Sequence, residues 1–470
     1  MEGSSSKHAL NKPIFYLLSI LVLLIIRVFI NTALPLMDKT EARYAEIARI
    51  MSETNHWVTL QIDYNIPFWA KPPLSTWLSA FSINLFGVTE FAVRLPSLIF
   101  AILIFFVIGK YSRQQGLPFF LPAFILLTIP EFLLHTGVVS TDMSLCFCIV
   151  LTMLSFWESS NTEKRTAWNY LFFIGIGLGL LAKGPIIIIL TLPPLFLWLL
   201  FFKDHIKVIT KMPWLIGILI IGIISVPWYY LAEKATPGFW DYFIVGEHFK
   251  RFLDSSWSGD KYGFPKSQPI GMIWVFLILF TLPWITLVIK KVWNVRLNLK
   301  TNKWLLFLIL WLLWTPFFFT LSKSLIHPYI MPVMIPLALL IVFWWRSIKW
   351  QKTYLITSLM IPVIAVILFS ISLQNKSLEF YSKTDKYLLK NKTIEGIPIY
   401  HLHKKSYSSG FYSNGKIKLM TSNQFNEALQ IRTPFLILIS HRDTLTLKNE
   451  QKTKLKKIQS NKYKSIYSHQ

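Results

Sequence analysis

Cysteine is almost missing from this 470-residue chain. The two that occur, Cys146 and Cys148, sit two apart in one apolar helix and so on different faces, which gives neither a disulfide nor a metal centre; they read as small core residues. Acidic residues are scarce, 23 Asp and Glu against 48 Lys and Arg, for a formal net charge of +25. In a soluble protein that excess would point to nucleic acid, but here the cations collect in short connections between apolar runs, and no nucleic-acid partner is expected. No small-residue cleavage pattern follows the first apolar run, and Pro35 to Asp38 come directly after it, so that run reads as a retained span. No internal repeat is evident, which argues against a transporter built from paired broken helices around a midplane site.

What is present is apolar: 53% of residues are hydrophobic, with 37 Phe and 19 Trp. Runs long enough to cross a hydrocarbon core of about 30 Å recur near 14–32, 92–109, 117–135, 139–157, 167–182, 185–202, 212–232, 269–289, 304–321, 327–345 and 353–373, with a shorter one at 74–87. The class is a polytopic helical membrane protein. Lys7 and Lys12, the turn 158–166, Lys203 to Lys211, Lys290 to Lys303 and Arg346 to Lys352 mark the cytoplasmic side by the positive-inside rule. The opposite side receives residues 33–71, the turns before Asp142 and after Lys183, the loop 233–268, the turn 322–328 and everything beyond 373. Residues 71 and 142 must share a side, which needs an even number of crossings between them: either 74–87 does not cross, giving about eleven spans, or 117–138 splits near Pro130 into two crossings, giving about thirteen. Residues 1–373 form the membrane domain. Residues 374–470 read as a small α/β domain, with strand-like runs from Gly396 and Pro434, a helix-like Asn423 to Ile431, and a basic tail from Lys448 expected as a surface helix or a disordered end.

Charged clusters lie at the ends of the spans. In 38–53, DKTEARYAEIARIMSE, Tyr44, Ile47, Ile50 and Met51 oppose Glu46, Arg49 and Glu53, so an amphipathic helix along the membrane surface is predicted, with Asp38, Thr40 and Glu41 at its N-terminal end, where acidic groups also serve simply as caps. Lys71 precedes Pro72-Pro73, and its ammonium is either a phosphate ligand or a snorkelling cation at a span end. Asp142 opens one helix and Lys183 closes the next, so a hairpin brings them to one membrane face as a shared site or a structural ion pair. In the loop 233–268, Glu247, His248 and Arg251 fall on one helical face; a lone His248 is no metal site.

The ordered series TEARYAEIAR, FWAKPPLSTWL, FAVRLPS, STDMSL, LLAKGP, PWYY, EHFKRF, LPW and LSKSLIHPYIMP, spread over about 30–345, resembles the family of lipid-linked-sugar glycosyltransferases that contains the aminoarabinose transferase of lipid A and, more distantly, the protein O-mannosyltransferases. The resemblance implies a GT-C-type enzyme of the bacterial inner membrane that uses an undecaprenyl-phosphate sugar at the periplasmic face. It carries an acidic catalytic position onto Glu41, with Asp38 as the nearby alternative and Asp142 as a third, and substrate-binding positions onto Lys71, Lys183, Arg251 and Tyr329; Arg43, Tyr44 and His248 beside these motifs are further substrate-binding candidates. The family's Asp beside that acidic position is Thr40 here, its Glu before the KP lysine is Ala70, so its zinc site is expected to be missing, and Ser255 to Gln268 depart from its aromatic-rich pattern.

The chemistry of the residues agrees with that resemblance. A polyprenyl phosphate leaves only if its developing charge is neutralised, which Lys71, Lys183 and Arg251 supply, with Tyr329 as a neutral donor. An acceptor phosphate on lipid A is already anionic and needs no base, and Glu41 or Asp38 would then orient an amino sugar; a hydroxyl acceptor on a protein or glycan needs a general base. The expectation is an inverting transfer of an amino sugar, aminoarabinose by family default, to lipid A; the alternatives are the same donor with a protein or envelope-glycan acceptor and, last, a lipid-linked-sugar transporter.

Overall fold

The structure is a computed structural model that describes residues 13–254, 257–263, 267–390, 397–431 and 433–469. Lys7, Lys12, Gly396 and part of the stretch Ser255 to Gln268 lie outside the described residues. Helices Pro13–Ala33, Glu90–Gln114, Asp142–Ser160, Trp214–Ala235, His327–Ser347 and Gln351–Gln374 are long and apolar enough to cross a membrane, and shorter apolar helices lie at Leu74–Phe86, Ala167–Lys183, Ile186–Phe201 and Lys303–Phe319. Their ends follow from local chemistry. Thr89 caps Glu90–Gln114 by accepting from the Ala92 amide, and a reciprocal Thr166–Asn169 box opens Ala167–Lys183, satisfying amides that a helix start leaves unpaired.

Two expected spans are broken at prolines. The run 117–135 divides into Leu121–Leu127 and Pro130–His135, with Ile129 extended (ψ 122°) because the ring of a following proline disfavours helical backbone. The run 269–289 is two helices, Met272–Phe280 and Trp284–Val295, bent by 111° about Leu282-Pro283, where proline removes an amide donor.

Side-chain contacts sort the connections onto two ends of the bundle. At one end Lys110 pairs with Glu158, Lys211 donates to the Thr162 carbonyl, Lys303 meets His205, Lys291 meets Ser347 and Arg346 donates to the Gln115 carbonyl. These are the basic connections. At the other end Arg27 donates to the Leu134 carbonyl, Arg94 pairs with Glu41, Lys183 with Asp142, Lys71 with Glu247 and Lys386 with Glu90. The contacts also bear on the two ways of joining residues 71 and 142. Lys71 and Glu90 flank the helix Leu74–Phe86 and both lie at the second end, so this helix does not pass through the bundle. The broken segment 117–135 does pass, from Gly116 beside Arg346 to Leu134 beside Arg27. Among the described residues the chain thus runs between the two ends eleven times.

The helix Thr40–Thr54 forms as predicted, but its environment differs. Glu46 and Arg49, expected on a wet face, are 1% and 2% exposed. They are covered by the C-terminal domain: a Cβ at Gly410 would stand 2.4 Å from Glu46 Oε1, so only glycine allows this approach, and Arg49 holds Glu46 at 2.7 and 2.9 Å. The helix is therefore clamped between two bodies, and Glu46 and Arg49 satisfy each other. The cap role open to Asp38, Thr40 and Glu41 is not used, since Lys39 occupies the N-cap position and no side-chain cap bond forms there.

The C-terminal domain is a five-stranded sheet in the order Lys418–Met420, Ile399–Leu402, Phe435–Ser440, Lys464–His469, Lys456–Ser460; the first three strands are parallel and the last two antiparallel to their neighbours. The tail expected as a surface helix or disordered end is a short helix, Asn449–Thr453, followed by two of these strands. Ile466 is fully buried against Leu436 and Leu438, while Lys456 and Lys457 are exposed on the edge strand, where lysines discourage further pairing.

Candidate functional site

The turns at the second end of the bundle enclose a cavity lined by Lys71, Asp142, Lys183, Glu247, His248, Arg251 and Tyr329, floored by apolar residues that include Ile186, Ile189, Phe318 and Phe319. Six of the ten residues singled out in the sequence meet here. The scaffold explains the convergence. Asp142 is the first residue of one helix and Lys183 the last of the next, so the hairpin aligns them, and Lys183 Nζ stands 2.5 Å from Asp142 Oδ1 and 4.8 Å above the Tyr329 ring. Gly184 turns the chain out of that helix at φ +82°, and a side chain there would strike Phe243 and His248.

Residues 241–250 form a π-helix, which continues into Arg251. Its Glu247 is the hub: one carboxylate oxygen lies 3.1 Å from Lys71 Nζ, and both lie 3.0 Å from Arg251 Nη1. Burial pushes the Glu247 carboxyl up, but Lys71 and Arg251 more than offset it and hold it below the ordinary carboxylate value. Burial lowers the His248 imidazole, with Lys71 adding to that effect against the Phe243 carbonyl, which lies 2.8 Å from Nδ1. His248 is thus a neutral wall of the cavity at neutral pH.

The remaining four residues stand around the cavity. Glu41 makes two hydrogen bonds to Arg94, at 2.8 and 2.9 Å, and accepts from the Val139 amide at 3.4 Å, three residues before Asp142. Arg43 donates to the Tyr262 carbonyl at 2.6 Å and lies over the Tyr44 and Phe68 rings. Tyr44 is buried, with its ring beside that of Phe68. Asp38 turns to the C-terminal domain, accepting from the Ser408 amide and hydroxyl. Burial and then the neighbouring Asp385 raise its carboxyl above the ordinary value, against the Ser408 bonds and Lys464.

Sequence reasoning left two charged partners out of the site. Glu247 was legible on a helical face with Arg251 but gave no sign of reaching Lys71, 176 residues away. Arg94 lies in the FAVRLPS motif, yet nothing in the sequence marks it as the partner of Glu41. Among the described residues no group of three or more His, Cys, Asp or Glu is arranged to hold a metal, and Ala70 contributes only a backbone carbonyl, 2.7 Å from Lys71 Nζ.

A helical membrane bundle with a cationic cavity at one end, closed by loop helices and flanked by a small sheet domain, is the GT-C architecture. The chain is similar to the lipid-linked-sugar glycosyltransferases. The family model for dolichyl-phosphate-mannose-protein mannosyltransferase matches residues 14–243. The undecaprenyl phosphate-alpha-4-amino-4-deoxy-L-arabinose arabinosyl transferase of Erwinia tasmaniensis is 27% identical over 353 residues, covering 72% of this chain and 59% of that protein. The corresponding transferase 2 of Pseudomonas fluorescens is 26% identical over 311 residues, covering 64% of this chain and 54% of its own length. The chain thus matches less than two thirds of the length of these relatives. The crystal structure of ArnT from Cupriavidus metallidurans bound to undecaprenyl phosphate superposes with a TM-score of 0.74 at 17% identity, over 97% of each chain.

Proposed function

We propose that the chain is an inverting glycosyltransferase that moves an amino sugar, aminoarabinose first among them, from undecaprenyl phosphate to lipid A at the periplasmic face of the bacterial inner membrane. The observation that carries this reading is the cavity, in which Lys71, Lys183 and Arg251 converge on one space beside Tyr329 and above an apolar floor. A polyprenyl phosphate has that shape: an anionic head on a hydrocarbon chain. When the bond from the sugar anomeric carbon to the phosphate oxygen breaks, the bonding electrons stay on that oxygen, and fixed cations in a dry site stabilise the charge better than water would. Attack by an acceptor phosphate oxygen from the opposite face inverts the anomeric carbon and needs no general base. Asp142 then serves to hold Lys183, and Glu41 with Arg94 orders the turn at Val139 that leads into Asp142. The mannosyltransferase family match favours a second reading, the same donor with a protein acceptor. That reading requires a carboxylate free to take a proton, whereas Glu41 and Asp142 are each engaged by a cation.

The deciding experiment is mass spectrometry of lipid A from cells with and without the protein; an aminoarabinose-sized mass lost on deletion is expected, and unchanged lipid A with altered glycoproteins would select the second reading. Orientation is tested by cysteine labelling. Asn423 and Asn161 are exposed at opposite ends of the bundle, and both native cysteines are buried. Asn423→Cys should react with an impermeant reagent in intact spheroplasts and Asn161→Cys only after lysis; the reverse pattern would put the cavity in the cytoplasm.

A further inference from the structure

We infer that Glu247 sets the charge class of the lipid phosphate this site retains: it tunes the cavity to a phosphodiester monoanion and against the phosphomonoester dianion left after transfer. The inference rests on the donor reading above. Its basis is a charge inventory. The cavity lining holds three cations, Lys71, Lys183 and Arg251, and two carboxylates, Asp142 and Glu247, with His248 neutral. Asp142 pairs with Lys183, at 2.5 Å, whereas Glu247 is shared, touching Lys71 and Arg251 at once, with the Tyr242 hydroxyl at 3.4 Å. The lining therefore carries one positive charge in excess. Behind Arg251 and outside the cavity lining, Asp260 lies 3.8 Å from the guanidinium and accepts from the Tyr262 and Gly263 amides.

Counted apart from any charge on the sugar, the phosphodiester group of the donor has one negative charge and brings the lining to neutrality. Transfer breaks the bond between the anomeric carbon and the donor phosphate oxygen and forms the bond from that carbon to an acceptor oxygen. The polyprenyl phosphate becomes a dianion above its second pKa of about 6. If the acceptor is a phosphate dianion, it becomes a diester monoanion, so charge balances across the reaction. The cavity, however, goes from neutral to one net negative charge, in a place where Glu247 is 3% exposed in its side chain and water screens little. That imbalance disfavours the spent carrier and promotes its release. Glu247 is a positioning residue in this scheme: it bridges Lys71 and Arg251 and offsets part of their combined charge.

The test compares two lipids on the full-length protein in detergent at pH 8: undecaprenyl phosphate and its methyl phosphodiester, each measured by direct binding. Wild type should favour the diester. Glu247→Gln adds one positive charge and should shift the ratio of the two dissociation constants toward the monoester by about 10-fold or more, equivalent to about 1.4 kcal/mol; Glu247→Asp, which keeps the charge, should leave the ratio near wild type even if both affinities fall. In turnover, Glu247→Gln should show stronger inhibition by undecaprenyl phosphate. An unchanged ratio in Glu247→Gln, or an equal shift in Glu247→Asp, overturns the inference while leaving the donor reading intact. Failure of wild type to bind either lipid overturns both.

Discussion

The cavity and the junction that docks the C-terminal domain both bury carboxylates among hydroxyls and amines, yet their charge ratios are opposite. In the cavity cations outnumber carboxylates, and Glu247 is held ionised by Lys71 and Arg251. At the junction Asp38 and Asp385 approach each other around Ser406 and Ser408, and one lysine, Lys464, donates to Asp385 at 2.8 and 3.0 Å. There burial and Asp385 push the Asp38 carboxyl toward its neutral form, and its bonds to Ser408 make a docking contact. The surplus of positive charge suits the anion site proposed above; the surplus of carboxyl lies in a contact between two parts of the chain.

The sharpest way to break the comparison is to remove a cation from each region. Lys71→Ala or Lys183→Ala should reduce transfer by about 100-fold or more, as loss of a charge-stabilising donor does elsewhere, with the protein still folded and in the membrane. Lys464→Ala should leave the transfer rate of the folded fraction near wild type. Full activity in both cavity variants would end the phosphate assignment. Lys183→Arg should also be impaired, because the guanidinium fork does not occupy the place of the ammonium.

A smaller effect separates the two acidic candidates. Glu41→Gln removes the charge that Arg94 meets at 2.8 Å and should reduce transfer by about 10-fold or more, because an interior guanidinium left unpaired disturbs the turn before Asp142. Asp38→Asn should only weaken it, since the junction lies away from the cavity lining. The reverse ranking in a transfer assay would move the functional carboxylate to Asp38.

The smallest effects are pH slopes, of opposite sign. The Glu247 carboxyl is lowered in the folded protein, so its contribution to stability is present above the ordinary carboxylate range and is lost as pH falls through its folded value. The Asp38 carboxyl is raised, so its contribution is present below that range and is lost as pH rises through its folded value. Thermal unfolding of Asp38→Asn against pH should therefore lose the decline seen on raising pH from acid, and Glu247→Gln should lose the decline seen on lowering it. Parallel curves for both variants would erase the distinction between the two regions.

Much of this was legible in the chain. Apolar runs, flanking lysines and the Asp142 and Lys183 hairpin required only span length, the positive-inside rule and helix-end geometry, all of which act within a few tens of residues. Lys71, Arg251 and Tyr329 were legible as motif positions. The tail after Lys448 was not, because lysines on an edge strand and lysines on a disordered end have the same composition, and the difference lies in Ile466 finding a core. The wet face assigned to Glu46 and Arg49 failed for a related reason: helical periodicity reports which side of a helix is polar, and a second body can still cover that side.

By itself the sequence determined a multi-pass helical membrane protein, the sorting of its connections onto two ends and the list of charged residues near one of them, since hydropathy and charge placement are properties of short segments in a layered solvent. Only the tertiary structure decided the pairings: that Glu247 joins Lys71 to Arg251, that Glu41 is held by Arg94, that Asp38 belongs to the docking junction, and that the helix Leu74–Phe86 stays at one end. Each depends on contacts between residues far apart in the chain, and Coulomb interactions in a site with little water are fixed by distances of a few ångströms that no local pattern encodes.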